Sequence, residues 1–194
     1  PPRGVVEAVE FPYYLHPRSL WERELVWLKT IGVRTVAFSI PWNWHQLSEN
    51  EFDLAGRTSP RRDLVAFVRV LRRLGLQAWV RPMPPVKDWL NGGYPPGGAT
   101  DRRAARAWLK ELTFLLEPQT ASHGGPVAWV EGAPGFLNLP APPHPVTAVS
   151  VLDAAALASG RQALAGGRGS LLWTDVENAL YPAGWQPQGA SILR

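Results

Sequence analysis

"PRSLWERELVWLKTIGVRTVAFSIPW", residues Pro17 to Trp42, decides the fold. Leu20, Trp21, Leu25 and Leu28 recur at helical spacing, with Pro17 near the start of the helix and Gly32 as its stop. The run that follows, Val33 to Trp42, is β-branched and mostly apolar, the pattern of a strand buried on both faces. The same alternation continues downstream. "SPRRDLVAFVRVLRRLG" gives a helix with Leu64, Phe67, Val68 and Leu71 on one side and Gly75 at its end, and "LQAWVRP" gives the next strand. Thr100 is the expected cap of a third helix, "DRRAARAWLKELTFLL", with an apolar stripe of Ala105, Trp108, Leu112 and Leu115, and "VAWV" is again a strand. Strand and helix in alternation predict parallel βα units.

Working outward, "GVVEAVEF" reads as an opening strand. "GAPGFLNLPAPPHP" reads as a connector without helical pattern. "VTAVSVL" and "GSLLWTD" read as strands, and "DAAALASGRQALAGG" as a short, weak helix. About six strands are readable, whereas a complete eight-fold barrel takes roughly 250 residues. The expected fold is therefore α/β, a (β/α) TIM-type barrel that is compact or incomplete.

Composition narrows the function classes. The 194 residues are 45% hydrophobic and 19% charged, as in an ordinary globular domain, and nothing divides 1–194 into two units. The chain starts with Pro rather than Met, so a piece of a longer protein with flanking domains is an expectation, and targeting is unread. No apolar stretch has the length of a membrane span. The absence of cysteine excludes disulfides and thiolate metal sites and fits either redox compartment.

The net charge of +4 raises nucleic-acid binding, but Arg62, Arg69 and Arg73 fall on one side of an amphipathic helix, the pattern of a solvated face, and no nucleic-acid partner is expected. There is no phosphate loop and no His cluster with metal spacing. His16, His45, His123 and His144 are scattered, so neither a cofactor nor a metal is expected. Ten tryptophans suit core packing and stacking on flat ligand faces alike.

In parallel α/β architectures the loops after the strand carboxyl ends hold ligands. "RPMPPVKDWLNGGYP", Arg81 to Pro95, and "PWNWHQ", Pro41 to Gln46, are such loops, and Glu131 and Asp175 each end a predicted strand.

These loops resemble family 35 of the glycoside hydrolases, the β-galactosidase family. Tyr13, Pro17, Trp21, Leu28, Lys29 and Gly32 match its first loop and helix, "PWNWHQ" and "EFDLAGR" its next segment, and Arg81, Pro82, Pro84, Trp89, Gly92, Gly93 and Pro95 its third loop. "HGGPVAWVEG" is similar to the lead-in to its fourth strand. The resemblance covers somewhat over half the chain and implies a barrel acting on β-linked, galactose-type saccharides.

Departures from the family fall on its chemistry. Asp88 stands where the family has a sugar-binding glutamate, and Gln46 where a glutamate follows the histidine. The general acid/base of the family's Glu-Asn-Glu falls near Gly135, leaving Glu131 as the nearby carboxylate. "GSLLWTDVENALYPAGW" resembles the seventh strand, which puts Asp175 in the nucleophile's place. If "VEN", residues 176–178, is aligned with the fourth strand instead, the acid becomes Ala179.

Retaining glycosidases need two carboxyl groups about 5–5.5 Å apart. The candidate pair is Asp175 and Glu131, and the expected saccharide contacts are Tyr13, Trp42, Asn43, His45, Asp88, Trp89, Asn91 and Glu177. Two alternatives stay open. Glu131 and Asp175 could cap turns or pair with arginines, and Trp89 could lie buried under a hydrogen-bonded loop. A barrel that lacks its acid would bind saccharide, or another protein, without turnover.

Overall fold

The computed structural model describes residues 8–86, 89–142 and 148–150, the last three by backbone only. The chain begins with strand β1 (Ala8–Glu10) and helix α1 (Arg18–Thr30), followed by β2 (Thr35–Ser39). A one-turn helix α2 (Trp42–His45) then leads into a small antiparallel hairpin, β3 (Gln46–Ser48) and β4 (Glu51–Phe52). Helix α3 (Leu64–Leu74), β5 (Gln77–Arg81), α4 (Arg102–Leu116), β6 (Val127–Val130) and β7 (Ala148–Ser150) complete the described elements.

The sheet has the order β6-β5-β2-β1-β7 and every pairing in it is parallel. Each of α1, α3 and α4 connects one strand to the next, so β1, β2, β5 and β6 build outward in one direction, and β7 joins the other side of β1. The α/β class with a parallel sheet is the expected one. Among the described residues the sheet does not close on itself, and the expected strand "GSLLWTD" and helix "DAAALASGRQALAGG" lie outside them.

Helix ends follow from local chemistry. Pro17 precedes α1, and Gly32 follows it at φ 96°. Gly75 closes α3 in the left-handed conformation that costs a glycine little. The α4 cap is Asp101 rather than Thr100: its carboxylate accepts from the amides of Arg103 and Ala104 at 2.9 and 3.0 Å. Trp108 and Leu112 of the expected α4 stripe are buried, Ala105 and Leu115 are partly buried against the core, and Leu116 joins them as a third fully buried residue.

The strand residues divide between two faces, alternating along each strand except at a register shift in β6. Val9, Val36, Phe38, Ala78, Val80, Val127 and Val130 face the helices and pack with Trp21, Leu25, Leu28, Phe67, Leu71, Trp108 and Leu112. Burying each such large side chain is worth roughly 1.5–3 kcal/mol. On the other face Ala8, Ala37 and Trp79 form a second cluster with Trp129 against it. The registers Glu10↔Ala37↔Trp79↔Trp129 put Ala37, Trp79 and Trp129 in one row with Glu10 across four strands, with Ala8 two residues earlier on the same face of β1.

Asp63 ties α1 to α3. It caps α3 by accepting from Ala66 N at 2.8 Å, and its other oxygen meets Arg18 of α1 at 3.1 Å. Asp63→Ala should cost about 1 kcal/mol, seen as a fall of roughly 2–4 °C in the thermal midpoint. No measurable shift would show that the cap is redundant.

Candidate functional site at the strand carboxyl ends

Three strands end in charge on the second face. Glu10 ends β1, Arg81 ends β5, and Glu131 follows β6, its amide donating to Val80 O at 3.0 Å so that the ladder runs one residue further. Arg81 Nε donates to Glu131 Oε2, and its Nη1 to Glu10 Oε2, both at 2.5 Å. The guanidinium carbon lies 4.6 Å from the centroid of Trp79, so Arg81 rests on the aromatic plate below it. Burial alone would lower the pKa of Arg81, but the two carboxylates more than offset this and raise it.

The expected saccharide contacts separate into two groups. Tyr13, Trp42 and His45 have no exposed surface. Tyr13 packs among Tyr14, Trp21, Phe38 and Phe67, and Trp42 stacks on Trp108. His45 Nδ1 lies 2.7 Å from the carbonyl of Asp53, which can only accept, so this nitrogen carries the proton. Its Nε2 therefore accepts from the Tyr13 hydroxyl at 2.6 Å. Burial dominates the pKa of His45, lowering it to about 4, and burial likewise raises that of Tyr13, so the pair is neutral at pH 7. These residues hold loops in place from within the core.

The second group lies nearer the surface. Asn43 Oδ1 accepts from Trp89 Nε1 and Asn43 Nδ2 donates to Leu90 O, both at 2.8 Å, which latches the loop after β2 to the loop after β5. Trp89 is half-buried, with Tyr14 and Trp44 set edge-on to its ring at 4.7 and 5.9 Å. Asn91 is exposed, at φ 50°. Gly93, two residues on, must lack a side chain, since a Cβ there would lie 2.9 Å from Val86 Cγ2. Asp88, Asp175, Glu177 and His144 lie outside the described residues.

Past Glu131 the backbone is irregular. Gly132 and Gly135 have φ 77°, and Leu137 and Asn138 also have positive φ. Gly135, which falls where an acid was expected, therefore adopts a conformation that side chains rarely take.

Two residues of this cluster, Glu10 and Arg81, were not among the sequence candidates. A signal for them exists. Ala8 and Glu10, Trp79 and Arg81, and Trp129 and Glu131 are each two apart, so each charge shares the face of the apolar residue before it.

Away from the strand ends, a groove of about 1150 Å³ lies between α1 and α3, lined by Trp21, Glu22, Arg18, Arg69 and Arg73 among others. Two of these arginines are committed, Arg18 to Asp63 and Arg73 to Glu22. A smaller cavity of about 280 Å³ lies between the hairpin and the start of α4, beside Trp42, Phe52 and Asp101. Neither includes Glu10, Arg81 or Glu131. Among the described residues no group of His, Asp or Glu could hold a metal ion, and no helix is long and apolar enough to cross a membrane.

Residues 3–131 match the sequence model of Glycosyl hydrolases family 35, more than half of the chain. The chain belongs to this family. Among its relatives are an exo-β-D-glucosaminidase of Pyrococcus horikoshii, 42% identical over 94 residues, and a β-1,2-glucosyltransferase of Ignavibacterium album, 36% identical over 87. The match takes in 48% and 44% of this chain respectively, and 12% of each relative. A β-galactosidase of Mus musculus is 26% identical over 132 residues, 61% of this chain and 20% of the enzyme. The chain thus spans a fifth or less of the length of these relatives.

The buried histidine makes stability pH-dependent. The unfolded chain takes up this proton near the ordinary His value of about 6.5, whereas the native state takes it up only near about 4. The stabilisation is therefore complete above pH 6.5 and is lost as the pH falls toward 4, by about 3 kcal/mol. The urea midpoint should drop across this window, and His45→Gln should flatten the dependence. An unchanged slope in the variant would show that His45 is not its source.

Proposed function

We propose that the chain is part of the (β/α) barrel of a glycoside hydrolase and that its strand-end face engages β-linked hexosides of the galactose type. One observation carries this reading: the Glu10–Arg81–Glu131 cluster at the carboxyl ends of parallel strands, where this architecture holds ligands. Carboxylates accept from sugar hydroxyls, and half-buried Trp89 and Trp129 offer indole surface for the C–H face of a ring. Asn91 and Asp88 belong to the same loop and complete the proposed contacts.

In a retaining reaction Asp175 would attack the anomeric carbon while a second carboxylic acid protonates the leaving oxygen, giving a glycosyl-enzyme intermediate. Release of that intermediate to water is hydrolysis and to a sugar hydroxyl is transfer, and the relatives' names include both. Glu131 is the second carboxyl of this scheme. Its Oε2 accepts from Arg81 Nε, so one of its two oxygens is already committed to a positioning contact.

That same contact, with glycine at position 135, favours a second reading in which the face binds saccharide without turnover. Nitrophenyl β-galactoside, β-glucoside and β-glucosaminide separate the two. Under the first reading nitrophenol is released, and Asp175→Asn lowers kcat at least about 10³-fold, while Glu131→Gln lowers it about 10²–10⁴-fold. No release from any glycoside by the folded chain would leave the binding reading.

A further inference from the structure

The strand-end cluster holds two carboxylates for one guanidinium. Each glutamate commits Oε2 to Arg81, which among the described residues leaves one oxygen on each, and the Glu10 and Glu131 side chains keep 32% and 47% of their surface exposed. Arg81 is the more enclosed at 23% and is already shared between the two. The local charge is therefore −1, with the negative groups outermost. Below them the Trp79 indole N–H is buried and has no hydrogen-bond partner among the described residues, and half-buried Trp129 lies in register beside it. The row thus sets the half-buried Trp129 indole beside two acceptors, pieces that a polyhydroxylated ring uses, with Trp79 as the covered base beneath them.

We propose that Glu10, together with Glu131, sets charge specificity at this face, admitting neutral and ammonium-bearing sugars and rejecting sugars that carry a carboxylate. The proposal rests on the saccharide reading above and extends it to substrate class. A hydroxyl donates to the free oxygen of either glutamate, and an ammonium adds Coulomb attraction to the same bond. A ring carboxylate would meet two like charges, and the cation that could receive it is already paired. Arg81 acts here as a positioning residue that fixes Glu10 across β2 and Glu131 at the end of the adjacent strand.

The test titrates the full chain with galactose, galactosamine and galacturonate at pH 6.5 and low salt, following tryptophan fluorescence. Galactosamine should bind best and galacturonate worst, with steps of about fivefold, the size of a partly exposed charge contact. Added salt should compress the series. Glu10→Gln should narrow it, and Glu131→Gln gives the same readout should the first variant fail to fold. Equal binding of the three sugars, or a preference for galacturonate, would overturn the charge proposal alone. A flat titration with all three would overturn the saccharide reading and this proposal with it.

Discussion

A parallel sheet with helices on one face and a second apolar cluster on the other can present chemistry only where its strands end. In β2 all five residues are buried, and its neighbour β5 is buried at Ala78, Trp79 and Val80. Neither strand has a free face for a ligand. What remains is the rim, and there the parity of the strands places Glu10, Arg81 and Glu131 on one side. The ion cluster follows from register: a one-residue slip of β5 would turn Arg81 into the helix layer and bring Pro82 to the rim.

The loops above the rim are held by contacts that look like binding residues in sequence. Tyr13, His45 and the Asp53 carbonyl form a buried chain of hydrogen bonds. The Asp53 carboxylate in turn accepts from the amides of Ala55, Arg57 and Thr58 and from the Thr58 hydroxyl. Burial opposes its charge, yet these bonds prevail and bring its pKa to about 2. Asn43 performs the same service between two loops through Trp89 and Leu90. Loops fixed at this many points can hold a ligand without first being ordered by it.

Helices α1, α3 and α4 and strands β1, β2, β5 and β6 were legible because their signals are local. Gly32 and Gly75 end helices as read, and the apolar stripe of α3 is buried at each of the four residues named for it. Asp101 was overlooked beside Thr100 since both are good caps and only geometry chooses between them. Site residues were harder. Sequence cannot tell a tyrosine aimed at a ligand from one whose hydroxyl satisfies a buried histidine, and Tyr13, Trp42 and His45 have the latter kind of surroundings. Glu10 and Arg81 were missed because their pairing spans 71 positions and is visible only once β1 and β5 flank β2.

The central claim is that the carboxyl ends of β1, β5 and β6 are the ligand-facing part of the chain. Hydrogen exchange of backbone amides with and without galactose tests it most directly. The account predicts added protection around Phe11, Trp89 to Tyr94 and Glu131 to Gly135, with the arginine-lined groove between α1 and α3 unaffected. Protection confined to that groove, at Arg18 to Glu22 and Ala66 to Arg73, would contradict it.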